Sequence, residues 1–207
     1  IDFVSFVSAR FLFRALCGLF CFTKHLSAEI ELVTIKWPPG ICTESCRLGL
    51  EKKLRTMNDV AEVVVTDVQA TLRWKPNHRM VYSSLENTMA MIGVSMDELQ
   101  ITVRGTIKQM GKEIKLISIG DNTEFTLLGP VQIDKNNAPI LENPQTLKLS
   151  EETRQKFIAA EKQFKVVTVQ GPFFEPERAP PYYIIAEKIQ ISPSLVEGAP
   201  PQERQQQ

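Results

Sequence analysis

Residues 31–57 read ELVTIKWPPGICTESCRLGLEKKLRTM. Apolar and polar residues alternate through ELVTIKW, the period of a half-buried strand. Pro38, Pro39 and Gly40 stop that strand abruptly. Thr43 or Ser45 then supplies a cap for a helix running to about Met57. Cys46, Leu50, Leu54 and Met57 recur at helical spacing and form one apolar stripe. The stretch is therefore a strand, a sharp turn and a helix, with two thiols, Cys42 and Cys46, at the junction.

Working outward, the pattern repeats. VAEVVVTD and VQATLRWK are rich in β-branched residues and meet at Asp67-Val68, a hairpin signal. MVYSSLENTMAMIG reads as a helix stopped by Gly93, with Leu85, Met89 and Ile92 inward. ELQITVRG is a further strand. Residues 29–104 thus run strand, helix, strand, strand, helix, strand, and helices on one face of an antiparallel sheet make an α+β sandwich. After Gly105 the composition changes. TIKQMGKEIKLISI reads as a hairpin turning at Met110-Gly111, and TEFTLLG as another strand. A loop with Asn136, Asn137, Pro139 and Pro144 leads to a helix, SEETRQKFIAAEKQF, with Ser150 and Thr153 as candidate caps. KVVTVQG and YYIIAEKIQI supply two more strands. Five strands with a helix between the third and fourth is the order of an OB-like barrel, expected over residues 105–192. The Pro-, Gln- and Glu-rich residues 193–207 have a disordered composition.

The 207 residues carry 24 basic and 24 acidic side chains, so no general attraction to nucleic acid or membrane surfaces is expected. Only two histidines occur, His25 and His78, which argues against His-rich zinc sites and Ser-His-Asp catalysis. No nucleotide-binding glycine motif is present. Arg10 and Arg14 precede an apolar run, Ala15 to Phe22, with a small-residue exit at Ser27-Ala28. Residues 1–28 therefore read as a signal peptide, and the protein as secreted or periplasmic with no stable membrane span after cleavage. An uncleaved anchor starting near Phe3 is the alternative, although the run is short for a span. Cleavage removes Cys17 and Cys21 and leaves Cys42 and Cys46 as the remaining pair.

Residues 31–104, with GICTESC at the first strand-to-helix turn, resemble a heavy-metal-associated domain, the ferredoxin-like βαββαβ module of copper chaperones and metal-transporting ATPases. That family carries Met-x-Cys-x-x-Cys at this turn. Cys46 matches the second family cysteine; Cys42 matches the first with one residue inserted, and Ile41 stands near the methionine. The resemblance implies a ferredoxin-like domain and a soft-metal site. It also places the loop GVSMDE beside the thiols, with the Met96 thioether as a third ligand.

The residues support that chemistry independently. Thiolates suit Cu(I), which accepts two ligands, whereas zinc usually wants four. A helix N-terminus favours the thiolate. Cu(I) is the expected occupant, with Hg, Cd or Zn behind it. Two other readings remain open at this point: a disulfide, since neighbouring helical turns fall within the allowed Cα separation of roughly 4.4–6.8 Å, and a pair of buried core thiols. RLGLEKKLR and RWKPNHR add positive charge for docking a protein partner, or form solvated faces. The expected function is non-catalytic metal binding or metal transfer. The alternative is an envelope interaction module with a degenerate metal site or a structural disulfide. Thiol–disulfide exchange enzymes, which usually use C-x-x-C, come last. Nucleic acid is not an expected partner.

Overall fold

Ile30, Val33, Thr34 and Ile35, all β-branched, build β1 (Ile30–Lys36), and the proline pair after Trp37 ends it. The computed structural model describes residues 30–130, 147–174 and 180–194. The expected leader, the Asn136–Pro144 loop and most of the expected tail lie outside those residues. After β1 come α1 (Glu44–Arg55), β2 (Val60–Val65), β3 (Gln69–Trp74), α2 (Tyr82–Ile92) and β4 (Glu98–Met110). Then follow β5 (Glu113–Ser118), β6 (Glu124–Leu128), α3 (Glu151–Lys162), β7 (Lys165–Phe174), β8 (Tyr182–Ile185) and β9 (Lys188–Ser194). The chain is a mixed α+β protein with a large sheet and three helices among its described residues.

Local chemistry sets the helix ends. Gly93 closes α2 with φ +80°, a left-handed conformation that costs glycine little, and its N–H donates to the Ala90 carbonyl. Ser150 caps α3, its hydroxyl accepting from the Thr153 backbone N–H at 3.2 Å. Thr43 occupies the N-cap position of α1 without a side-chain cap bond.

The first four strands pair antiparallel in the order β2-β3-β1-β4. Their register stacks one buried row: Val33 lies between Leu72 and Ile101, and Ile35 between Ala70 and Leu99. Leu50 and Leu54 of α1 and Leu85 and Met89 of α2 join the same core cluster. From β4 onward the pairing closes into a ring, β4-β5-β6-β8-β7 and back to β4. The β6–β8 contact is parallel and the others are antiparallel. Phe125, Leu116, Val167, Val169 and Ile184 from the ring, with Phe157 of α3, belong to the cluster that contains Val33 and Leu72. One apolar core therefore runs through both halves.

Two sequence expectations are redrawn here. ELQITVRG and TIKQM are a single 13-residue strand, β4, so the expected boundary between 104 and 105 falls inside it. Gly105 is not a breaker: a Cβ there would sit 2.2 Å from the Ile117 carbonyl oxygen, so the glycine permits the close approach of β5. YYIIAEKIQI divides into β8 and β9, because the chain changes partners at Ala186 and Glu187. The Ala186 N–H donates to Leu128 O, and the Glu187 N–H to Gln170 O.

Among the described residues no helix is long and apolar enough to cross a membrane.

Candidate functional site

The loop between β1 and α1 is anchored before the cysteines arrive. Trp37 is almost fully buried; its backbone N–H donates to Val68 O at 3.0 Å and its indole N–H to Asp67 O at 2.8 Å. These bonds tie the end of β1 to the β2–β3 turn. Pro38 and Pro39 carry the chain outward, and Gly40 reverses it at φ +83° with open space around its Cα. The chain then re-enters at Cys42 and starts α1 at Glu44.

Cys42 and Cys46 come together here as a disulfide, with the Cα atoms 5.3 Å apart. Of the two, Cys42 is the more buried, at 7% exposure and inside the main core, while Cys46 is half-buried against it. Cys42 is thus buried although it belongs to the loop before α1 rather than to the helix stripe. The reason is local: Gly40 turns the segment inward, so Ile41 faces solvent and Cys42 faces the core. Cys46 sits one turn before Leu50 on the stripe that the sequence periodicity implied.

Met96 lies in the loop between α2 and β4, partly buried against the core. It lines a cavity of about 420 Å³ with Tyr82, Met89 and Val94, and neither cysteine is in that wall. His78 is at the far end of β3 from the Trp37 anchor, where its Nδ1 pairs with Asp59 Oδ1 at 2.8 Å. Among the described residues no group of three histidine, cysteine or acidic side chains is placed to hold a metal ion. The donor set is therefore two sulfurs. Once reduced, that set fits a soft ion content with two ligands, and it does not fit a tetrahedral zinc site.

The basic stretches expected near the thiols divide between two ends. RWKPNHR lies at the opposite end of the sheet from the cysteines, with Arg73 ion-paired to Glu62 and the Lys75 ammonium donating to Asn58 O at 2.6 Å. In α1, Arg55 pairs with Glu51 at 2.7 Å. The Trp37 anchor had no signal in the sequence beyond a tryptophan before a proline pair.

No protein-family model, curated protein or solved structure matches this chain.

Proposed function

We propose that this chain is a non-catalytic protein whose Cys42–Cys46 pair binds a soft metal ion such as Cu(I) when reduced and closes to a disulfide when oxidised. The observation that carries the reading is the meeting of two sulfurs at the head of a helix, with no third titratable ligand among the described residues. A helix N-terminus favours thiolates, and a soft two-coordinate ion needs only two of them. Opening the bond takes two electrons and two protons from a dithiol reductant, leaving both thiols free.

The strand order β2-β3-β1-β4, with a helix after the first and third strands, supports reading the N-terminal half as ferredoxin-like. The closed ring with its one parallel contact, and α3 between its third and fourth strands, supports reading the C-terminal half as OB-like. Export through the leader 1–28, and transfer of metal to a protein partner by thiolate exchange, belong to the same proposal. Met96 enters it as a third ligand only through the family resemblance.

A second reading rests on the burial of Cys42 within the core. In it the disulfide is a permanent staple that fixes the loop of an interaction module. One titration separates the two. Reduced protein should take up about one equivalent of Cu(I), and disulfide-bonded protein none. Absence of stoichiometric uptake by fully reduced protein, verified by thiol counting, would leave the staple reading standing.

A further inference from the structure

Away from the cysteines, a second cavity of about 420 Å³ opens where the β3–α2 loop meets the ring. Arg79 comes from that loop, Lys115 and Glu124 from β5 and β6, Asp121 from the turn between them, and Pro180 and Pro181 from the approach to β8. Its size is within the range of small-ligand sites.

The chemistry of the wall is specific. Arg79 is exposed and makes no hydrogen bond or ion pair among the described residues, so its fork of donors is available. Lys115 and Glu124 hold each other at 2.8 Å. Asp121 is fixed by its own turn, one carboxylate oxygen accepting from the Thr123 backbone N–H at 3.2 Å and the other from the Thr123 hydroxyl. Thr123 and Thr126, both nearly buried residues, complete the lining. The two exposed prolines add apolar ring surface to the wall. The wall thus combines two cations, two carboxylates and an apolar pair of prolines.

A phosphate or other strong anion drawn to Arg79 would also meet Asp121 and Glu124, and a cation would meet Arg79 and Lys115; both are penalised. An uncharged ligand dense in hydroxyls satisfies both signs at once. Its hydroxyls pair with the guanidinium and carboxylates, and the C–H face of its ring rests on the prolines. We infer that this cleft binds a neutral oligosaccharide.

The test uses the full chain, with the disulfide intact, isotope-labelled for amide NMR. Cellohexaose, maltohexaose, xylohexaose and chitohexaose serve as probes, with a thymidine decanucleotide as the anionic comparison. At least one neutral hexasaccharide should move the Thr123, Thr126 and Tyr182 amides in a saturable way. Arg79→Ala, which removes an exposed side chain without partners among the described residues, should weaken that binding roughly tenfold or more. Asp121→Asn, which keeps an oxygen for the Thr123 N–H, should do the same, while Lys52→Ala on α1 should leave it unchanged. The inference is overturned if no hexasaccharide at millimolar concentration moves those amides, or if Arg79→Ala binds as the parent does. It is equally overturned if the decanucleotide alone saturates the cleft. None of these outcomes bears on copper uptake by the cysteines.

Discussion

Cys42 and Cys46 are four residues apart yet differ in burial, and that difference decides what a serine does at each. Under reducing conditions, Cys42→Ser puts a hydroxyl into the core with no evident partner, which costs about 1–3 kcal/mol. Cys46→Ser, half-buried at the head of α1, should cost less than about 1 kcal/mol, because water reaches it. Urea unfolding of both variants with excess dithiothreitol checks this, and equal losses would contradict the burial order. Oxidised parent protein should exceed the reduced form by roughly 2 kcal/mol, the closure entropy of so short a loop. Either serine should abolish tight Cu(I) binding, since a hydroxyl is a poor substitute for a thiolate. Elsewhere, the Glu124 carboxyl lies below its usual 4.5 because Lys115 hydrogen-bonds to it and attracts it, with Lys108 adding a smaller pull. A pKa lowered by folding stabilises the folded state above about pH 4.5, and the effect drains away as pH falls through the folded value. Lys115→Met should therefore move the Glu124 titration midpoint, followed by side-chain NMR, up towards 4.5. An unmoved midpoint would show that Lys115 is not the cause.

At the level of elements, two glycines that look alike in the sequence do opposite work. Gly111 turns the β4–β5 hairpin at φ +62° with nothing near its Cα, so Gly111→Ala strains only the backbone, by about 1–2 kcal/mol. A Cβ at Gly105 would strike the Ile117 backbone oxygen, and neither strand can retreat without breaking the Gly105–Ser118 register. Gly105→Ala should cost roughly 3 kcal/mol or more, as severe overpacking does. Thermal or urea unfolding of the pair orders them, and a milder Gly105 variant would mean that β5 gives way. The same contrast marks what the sequence could disclose. β1 through α2, the Gly93 stop and the Ser150 cap follow from periodicity and local cap chemistry, all within a few residues. The continuity of β4 through Gly105 and the division of β8 from β9 at Ala186 depend on strands paired across the ring, which no local pattern encodes. The same holds at the sites. The spacing of Cys42 and Cys46 marked the pair, but the anchoring of their loop through Trp37 to the β2–β3 turn joins residues far apart in the chain. Arg79 and Asp121 line one cleft only because the whole fold brings the β3–α2 loop to the β5–β6 turn, although β1 and β4 separate β3 from β5 in the sheet.

Across the whole molecule, the two halves share a strand and a core. The edge of β4 from Gln100 to Thr106 pairs with β7 from Pro172 back to Val166, while its other edge takes β1 and then β5. Tyr82 of α2 stacks on Phe173 of β7 at 5.8 Å between ring centroids, and Phe173 meets Tyr182 of β8 at 5.6 Å. A fragment ending at residue 105 contains a complete strand-helix-strand-strand-helix-strand pattern and, on sequence grounds, is expected to fold alone. The pairing argues otherwise. Cutting there strips β7 from β4 along that edge and leaves Gln100 to Gly105 as an open strand edge of the kind that invites aggregation. It also uncovers the Tyr82 face and removes the ring half of the shared core. What remains is a small domain, for which core burial is already marginal. Residues 29–105 expressed alone should therefore show weak amide dispersion and a broad, non-cooperative urea transition, whereas the full chain unfolds in one cooperative step. A fragment with native-like dispersion and a sharp transition near the full-chain midpoint would show that the N-terminal half is self-sufficient and that β4 is a joint rather than a common spine.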